Sequence, residues 1–578
     1  MTGRTAKTRF LSRIPAGAVV ALVYAVLAVL LTISVWRAPS LTYVGQGPDP
    51  IQGMWAIGWV PFAVGHGLSP VISTAMNSPT GFDLLWPDPF AFPLAVVFWP
   101  VTLAFGATVT YNLAITIGLA LGAFFAYLVI KRWVSAVVAA ALGGLLYGFS
   151  PYMTGQYLGH VSLVLAGASI PLGLMLLDEI VVRQRRRPRT LGVLAGAFAV
   201  SQFFIAQEIL LTEIIAAALI TLVLAITNRD RVREHARFAA RTLGIAAIPA
   251  VIFLAYPTWL QFFGADHVVT TGAIHGTDIY VTDLANFVVP SVAQLLSPQV
   301  ATSISSHFSG NASEWDAYLG IPLILLLVAA TIRFWRIPVI RTAGVVALVI
   351  SVLSLGPHLH VQGHQVLALP LPWWIPAHLP VFDDILPARL MVYVDLAAAI
   401  IFAFVLRALW LIRSRFALNL VVALAVLLPL MPTLPAPATE LDTRAPFTSE
   451  TAAQGLRGAN VLFEPFPSLD YPDSMVWQRA ANYSFTMLGG YFIGPDAPGA
   501  DDLQKRIHDL TARSATVTLS APDQAALLSA LHSLKVTTVI VDPALVTPGA
   551  SSLFTQLLGA APVAEDGFLI WQVSVSRG

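Results

Sequence analysis

The sequence predicts an all-α polytopic transmembrane helical bundle that is followed by a small C-terminal α/β domain. Of the 578 residues, 57% are hydrophobic and only 11% are charged, and the mean hydropathy is +0.75. A soluble globular protein carries roughly 25% charged residues and could not bury this much apolar surface. After about residue 440 the charged residues return, which predicts a separate domain outside the membrane.

The apolar residues occur in charge-free runs that are long enough, or nearly so, to cross about 30 Å of hydrocarbon as helices. Helices are expected because lipid offers the backbone no hydrogen-bond partner. The clearest runs are 14–36, 109–130, 190–207, 242–265, 317–332 and 416–439. Residues 1–438 are therefore predicted to form a multi-pass domain of about 11–13 helices, with about eleven crossings.

The distribution of basic residues predicts the orientation of this domain. Basic residues concentrate at the N-terminus and at 131–132, 183–189, 229–241, 333–341 and 407–415. The positive-inside rule places these segments in the cytoplasm, so the loops 37–108 and 263–316 and the domain 439–578 are predicted to be extracytoplasmic. The first apolar run is interpreted as an uncleaved helix of a plasma (inner) membrane protein. This assignment requires that 90–105 does not span the membrane.

The C-terminal domain carries patterns of both strands and helices. Short apolar runs at 458–465, 536–542 and 568–573 are typical of strands, whereas 501–514 and 522–534 are typical of amphipathic helices. The predicted domain is therefore small and of the α/β class.

Charge and composition exclude several classes of function. A net charge of +1 offers no basic surface for nucleic acid, and the absence of cysteine excludes disulfides, thiolate metal sites and cysteine nucleophiles. Lysine is scarce while arginine and alanine are abundant, which is typical of proteins from GC-rich bacterial genomes.

Asp49 is the most informative residue of the first outer loop. It stands between two prolines just after the first helix, and it is the only acidic residue of this loop before Asp83. Trp55, Trp59 and Phe62 follow at helical spacing, which suits a short helix lying in the membrane interface. Asp49 can cap this helix or act as a catalytic carboxylate, and the sequence leaves both open.

The same loop contains further candidate ligands. Asp83 and Asp88 could join Asp49 in binding a divalent cation such as Mg, Mn or Ca, because hard cations prefer oxygen ligands. The alternative is that both are solvated turn residues, and the identity of any metal stays unknown. His66, in a Gly-His-Gly turn, is either a substrate contact or an ordinary loop residue.

Two charged residues lie at predicted outer ends of helices. Glu208 is a candidate because acids near the membrane core are costly and tend to be functional or paired. Arg389 precedes an apolar helix, where a guanidinium can bind a phosphate bidentately. The alternative for Arg389 is interfacial snorkelling. Asp395 is its expected ion-pair partner, and Glu213 is a weaker acidic candidate.

These features resemble the GT-C superfamily of membrane glycosyltransferases, which includes oligosaccharyltransferases, protein O-mannosyltransferases and mycobacterial arabinofuranosyltransferases. The resemblance lies in the order of a first helix, an outer loop with an early aspartate, many helices and an outer C-terminal domain. The stretches 131–133 and 149–151 resemble the mannosyltransferase-like members. Uncharacterised bacterial, actinobacterial-type relatives are resembled by 314–320, 354–357, 387–389, 464–467 and 488–492.

The resemblance implies transfer of a sugar from a polyprenyl-phosphate carrier in the membrane lipid to an envelope glycan, lipid or protein. It implies an inverting mechanism with Asp49 as general base and Arg389 at the donor phosphate. Tyr318 and His358, which lie in or beside the resembling stretches, are further candidates for substrate binding. The chain lacks a second acid adjacent to Asp49, which leaves metal dependence open.

Two other functions are compatible with the sequence. A transporter or flippase of lipid-linked sugars would predict paired broken helices in two related halves, and no such repeat is seen in the sequence. A non-catalytic envelope assembly protein is the second alternative.

Overall fold

The computed structural model describes residues 15–86, 89–264, 275–366, 370–411, 416–444, 447, 455–512 and 516–573. The chain divides into two compact units. The helical unit comprises 1–37, 112–255 and 270–438. The sheet unit comprises 38–111, 256–269 and 439–578. The predicted boundary between 438 and 439 stays a prediction, since the first loop shares a unit with the C-terminal residues.

The α-helices up to residue 438 are named α1 to α16 in chain order. They are α1 Ala16–Leu31, α2 Pro48–Gly65, α3 Ala91–Val97, α4 Trp99–Phe105, α5 Ala107–Lys131, α6 Val137–Gly148, α7 Pro151–Gln156, α8 Val161–Leu177, α9 Pro188–Ile205, α10 Gln207–Thr227, α11 Arg229–Phe263, α12 Gln299–Ser305, α13 Gly320–Arg333, α14 Pro338–Ser354, α15 Met391–Trp410 and α16 Phe416–Leu427. A π-helical turn, Asp178–Arg183, continues α8, and a 3₁₀ turn, Pro387–Leu390, leads into α15.

Seven helical segments of the described residues are long and apolar enough to cross a membrane. Four shorter apolar helices, α1, α13, α14 and α16, accompany them. The chain is therefore a multi-pass membrane protein, and the predicted all-α bundle is confirmed. The number of crossings and their orientation stay predictions. The segment 90–105 contains only α3 and α4, each of seven residues, which confirms that it forms no single spanning helix.

Small residues allow the central helices of the helical unit to approach closely. A Cβ added at Gly148 would lie 2.3 Å from the backbone of Ala123, and one added at Gly143 would lie 2.9 Å from the carbonyl of Ala399. Glycine therefore lets α6 pack directly on α5 and α15, as small residues do in membrane helix interfaces. Most of α15 is consequently buried: in the apolar 18-residue stretch that represents Pro387–Trp410, 83% of the residues lie inside the protein.

The sheet unit contains a five-stranded sheet with the order β10-β11-β9-β7-β8. Its strands are β7 Asn460–Glu464, β8 Thr486–Met487, β9 Thr538–Val541, β10 Val563–Glu565 and β11 Phe568–Gln572. Strand β7 pairs in parallel with β8 and β9, and β11 pairs antiparallel with β9 and β10. The remaining strands, β1 to β6, have two or three residues, and they are Thr42–Val44, Ile72–Ser73, Phe82–Asp83, His360–Val361, His364–Gln365 and Ala438–Glu440.

Besides α2, α3 and α4, four helices of the described residues after 439 belong to this unit: α17 Asp473–Ala480, α18 Ala500–Thr511, α19 Ala521–Ser533 and α20 Pro548–Leu558. The α/β class is confirmed, and the predicted strands at β7, β9 and β11 and helices at α18 and α19 are all present. Leu462, Val539 and Val541 point to a core shared with α18, α19 and α20. The alternate side chain of β7, Phe463, instead contacts Trp477 of α17, with ring centroids 5.6 Å apart.

The helix after Asp49 is present as α2, but its interpretation as an interfacial helix was wrong. Trp55 and Trp59 are 1% and 4% exposed, and their rings stack 5.4 Å apart. The indole N–H of Trp55 donates to Gln478 of α17 at 2.8 Å, and the Tyr483 hydroxyl donates to the Trp55 carbonyl at 2.9 Å. The aromatic spacing therefore marks a buried face, whose partner lies more than 400 residues away in the sequence.

Candidate active site

Arg389 lies at the centre of a buried charged cluster in the helical unit. Its Nη2 is 2.6 Å from Glu314 Oε1, its Nε donates to the same oxygen at 3.1 Å, and its Nη1 pairs with Glu208 Oε2. The other oxygen of Glu208 accepts from the backbone N–H of Leu386 at 2.9 Å. Glu208 therefore fixes both the guanidinium and the turn that carries it.

A second layer of polar side chains supports Glu314. The Nε2 of Gln156 lies within 3.2 Å of Glu314 Oε2, Asp316 Oδ2 and the Ser313 carbonyl, and its two hydrogens are shared among them. His160 Nδ1 is 2.9 Å from Gln156 Oε1. The N-cap Ser150 starts the short helix α7 that presents Gln156, and its hydroxyl accepts from the Met153 N–H.

The two acids of the segment 311–319 differ in protonation. Burial raises the pKa of Asp316 well above its ordinary value, and the neighbouring Glu314 raises it further. Burial also opposes ionisation of Glu314, but Arg389, His160 and the hydrogen bonds outweigh it and lower the pKa of that carboxyl. The proton of the pair thus resides on Asp316, and the charge resides on Glu314.

Asp395 is not the partner of Arg389, so that prediction was wrong. Its carboxylate accepts hydrogen bonds from the Ser150 hydroxyl and from the Tyr152 backbone. Arg389 lies in the 3₁₀ turn before α15, and six helical positions separate it from Asp395. Six positions correspond to about 240° around a helix axis, so the two side chains point in different directions.

An apolar groove of about 370 Å³ opens in the helical unit, close in sequence to the charged cluster. Tyr393, one helical turn after Arg389, lines it, and so does Glu213, five residues after Glu208. Its other walls are mostly aliphatic and aromatic and come chiefly from α8, the π-helical turn after it, α9, α10, α14 and α15. The polar residues among them are Asp178, Asn228 and Thr342. Gln202 donates to the Glu213 carboxyl at 3.2 Å. A groove with these walls suits a hydrocarbon chain.

Asp49 belongs to the sheet unit. Gly47 is the N-cap of α2 and Asp49 is in the first turn, so the interpretation of Asp49 as the capping residue was wrong. Its negative charge still suits the positive end of the helix dipole. The Tyr491 hydroxyl donates to Asp49 Oδ1 at 2.7 Å.

The other residues that the sequence singled out as candidate substrate contacts lie in different environments. Asp83 is buried and accepts from the Leu85 N–H at 2.8 Å, which stabilises a turn. His66 is exposed, and its Nδ1 is 2.8 Å from the Phe62 carbonyl. Tyr318 is 7% exposed, and His358 Nδ1 is 2.9 Å from Asp278 Oδ2. Asp88 lies outside the described residues.

The divalent cation raised by the sequence was tested against the available ligands. Among the residues that the structure describes, no three His, Asp or Glu side chains lie together as a metal-binding group. No chemical step is therefore assigned to a metal, and the divalent cation stays a prediction, because Asp88, one of its candidate ligands, lies outside the described residues.

Sequence reasoning singled out Arg389 and Glu208 separately but did not predict that they pair. It also missed Gln156, His160, Glu314 and Asp316 as members of the cluster. The signal that was available is the stretch 314–320, in which Glu314 and Asp316 flank a tryptophan directly before an apolar run. Two acids so close to a membrane helix are costly unless they are paired.

Comparisons with known proteins give both a family and a fold. A family model described as a domain of unknown function, DUF6311, matches residues 18–430. No curated protein matches the chain.

The solved structures that resemble the chain in fold include two glycosyltransferases. The archaeal oligosaccharyltransferase AglB from Archaeoglobus fulgidus, in complex with an inhibitory peptide and a dolichol-phosphate, has a TM-score of 0.52 at 13% identity. The match covers 91% of this chain and 69% of AglB. The arabinofuranosyltransferase AftD from Mycobacteria has a TM-score of 0.54 at 14% identity, over 97% of this chain and 40% of AftD. The chain therefore has the GT-C fold, while membership of that superfamily and of a bacterial branch within it stays a prediction.

Proposed function

The chain belongs to the DUF6311 family, and we propose that it is a membrane glycosyltransferase that takes its sugar from a polyprenyl-phosphate carrier. The observation that carries the proposal is the apolar groove whose wall includes Tyr393, one turn from the Arg389 cluster. A lipid phosphate needs a site for its hydrocarbon chain next to a site for its charge. The fold shared with AglB, which was solved with dolichol-phosphate, supports the same reading.

In this proposal Arg389 binds the phosphate of the donor. The cluster as it stands carries two carboxylates, Glu208 and Glu314, against one guanidinium. A phosphate must therefore replace one carboxylate instead of adding to both. Glu208 is 17% exposed and Glu314 is 2% exposed, so Glu208 is the exchangeable partner and Glu314 holds the guanidinium in place. The exchange conserves the charge-assisted hydrogen bonds of Nη1.

Asp49 is the proposed general base. It would accept the proton of an acceptor hydroxyl while that oxygen forms a bond to the anomeric carbon. The bond from this carbon to the phosphate oxygen breaks, and its electron pair leaves with the phosphate, next to Arg389. This direct displacement inverts the anomeric centre. The acceptor is proposed to be an envelope glycan, lipid or protein on the extracytoplasmic face, with the domain 439–578 on that side.

Tyr318, His358, His66 and Asp83 remain proposed substrate contacts of lower specificity. Tyr318 and His358 belong to the helical unit, and His66 and Asp83 belong to the sheet unit. The hydrogen bond that Asp83 accepts from the Leu85 N–H gives Asp83 a structural role as well.

Native mass spectrometry of the protein purified from its own membrane tests this proposal. We expect Asp49→Asn to retain an adduct with the mass of a polyprenyl phosphate plus one sugar, because the donor binds but is not consumed. Arg389→Ala should lose this adduct, and Arg506→Ala, which removes an exposed arginine of the sheet unit, should keep it. An adduct that survives in Arg389→Ala, or a loaded donor that Asp49→Asn consumes normally, would refute the assignment.

A further inference from the structure

A crevice in the sheet unit lies where the topology of its sheet changes direction. From β7 the chain crosses through α17 to β8 on one side, and then through α18 and α19 to β9 on the other side. Strand β7 pairs in parallel with both β8 and β9. The two crossovers therefore lead to opposite sides of β7, and the switch point lies between β7 and β9. In open α/β sheets, ligands bind outside the carboxyl ends of the strands at such a switch point.

The residues that end these two strands line the crevice. Glu464 ends β7, and Asp542 directly follows β9, with the Asp542 N–H donating to the Glu464 carbonyl at 2.8 Å. Asp473, Ser474 and Trp477 of α17 line the same space. The location therefore matches the edge of the sheet that the topology indicates.

Two buried donors in this crevice lack partners among the described residues. The Ser474 hydroxyl and the Trp477 indole N–H are buried, in side chains that are 3% and 4% exposed, and neither has a hydrogen-bond partner there. A buried polar group without a partner destabilises the fold, because it has lost its hydrogen bonds to water. Two such donors lining one crevice at a switch point are therefore available, within the described part of the chain, to bind a ligand.

The charge of the crevice restricts what that ligand can be. Glu464, Asp473 and Asp542 contribute three carboxyl groups. The nearby cation, Arg444, is already held by Asp542 and Asp442, both at 2.7 Å, and lies 4.2 Å from the ring centre of Phe568. A phosphate or carboxylate would meet excess negative charge, because Arg444 is already paired with two carboxylates. The carboxyl groups of the crevice can accept hydrogen bonds, and its hydroxyl and indole groups can donate them. This combination matches an uncharged ligand that carries hydroxyl groups.

The size of the crevice gives the mode of binding. Its enclosed space is about 10 Å³, which holds one water molecule or one hydroxyl group. The body of a ligand must therefore lie over the mouth, where Tyr471 is 41% exposed and offers an aromatic face. We infer that this crevice is a carbohydrate-binding site, in which one sugar hydroxyl enters between Glu464, Ser474 and Trp477 and the ring rests on Tyr471. This site does not depend on the proposed transfer reaction.

Saturation-transfer difference NMR on the full-length protein in detergent tests the inference. The probes are methyl α-D-mannopyranoside and methyl α-D-galactopyranoside, with D-glucuronate as the anionic comparison. We expect saturation transfer to at least one neutral glycoside and none to glucuronate. Ser474→Ala should weaken the apparent affinity by about fivefold, because it removes one hydrogen bond. Tyr471→Ala should abolish transfer, and Tyr471→Phe should retain it.

Ser484→Ala is the matched control, because Ser484 also has a buried hydroxyl without a partner in the described chain but lies outside the crevice. Its binding should equal that of the unmodified protein. Asp49→Asn and Arg389→Ala should also retain binding, which separates this site from the proposed active site. The inference is overturned if neither glycoside shows saturation transfer, if glucuronate binds equally well, or if Ser474→Ala and Tyr471→Ala leave binding unchanged.

Discussion

Replacing Arg389 by methionine tests the charged cluster directly. Arg389 is 12% exposed, and it compensates Glu208 and the almost fully buried Glu314. Removing one partner of a buried ion pair costs about 3–5 kcal/mol, because it leaves uncompensated charge in a poorly solvated place. Arg389→Met should therefore lower the unfolding temperature in detergent by roughly 2–4 °C, followed by the fluorescence of the chain's 14 tryptophans.

The same variant should reverse the pH dependence that Glu314 contributes. In the unmodified protein the pKa of Glu314 is lowered from 4.5, so its contribution to stability is present above that pH and is lost as the pH falls. Without Arg389, burial and Glu208 raise the pKa of Glu314 in the fold. Its contribution is then greatest below pH 4.5 and is lost as the pH rises, so the deficit of Arg389→Met should shrink in acid.

Two further variants complete this test. The triple change Arg389→Met, Glu208→Gln and Glu314→Gln removes all three charges and should recover most of the lost stability, since a neutral cluster of similar volume leaves no charge stranded. Arg506→Met, at an exposed ion pair, should change the unfolding temperature little. The reasoning is refuted if Arg389→Met unfolds like the unmodified protein, or if its deficit grows as the pH falls.

Three other predictions follow from the proposed site. Tyr491→Phe removes the hydrogen bond to Asp49. It should lower kcat without changing KM for the donor, because it mispositions the base and leaves donor binding intact. An unchanged kcat would contradict this. Ala217→Trp fills the apolar groove and should weaken binding of undecaprenyl phosphate. Ala218→Trp, at an exposed neighbouring position, should not weaken it. Equal binding by both variants would exclude the groove as the binding site of the lipid chain. The chain has no cysteine, so single cysteines at Arg186 and Asp502 can be labelled without background, and only the second should react with an impermeant reagent added from outside.

The secondary structure of this protein is largely predictable from its sequence. The helices of the bundle follow from charge-free runs, and β7, β9 and β11 follow from short apolar runs between turns. The burial of Trp55 and Trp59 was not predictable, because a row of aromatic residues at helical spacing suits a membrane interface as well as a protein partner. Only the fold brings Gln478 and Tyr483 against Trp55.

The candidate site was predictable only in part. Arg389 and Glu208 stand out because charges at the ends of membrane helices are costly, but 181 residues separate them. Sequence proximity favoured Asp395 as the partner of Arg389, and this failed because the guanidinium precedes the helix and points elsewhere. Glu314 was not predicted as a partner because acids that share one guanidinium, here Glu208 and Glu314, need no fixed spacing in the sequence. Asp316 joins the cluster through Gln156.

The affinity for undecaprenyl phosphate is the measurement that tests the central claim most directly. The lipid would be titrated into the purified full-length protein in nanodiscs, for the unmodified chain, Arg389→Ala and Arg506→Ala. Loss of a charge-assisted pair, worth about 1.5–3 kcal/mol, should weaken binding by Arg389→Ala about 10- to 100-fold and leave Arg506→Ala unchanged. Equal affinity in all three proteins, or no binding by the unmodified chain, would contradict the account.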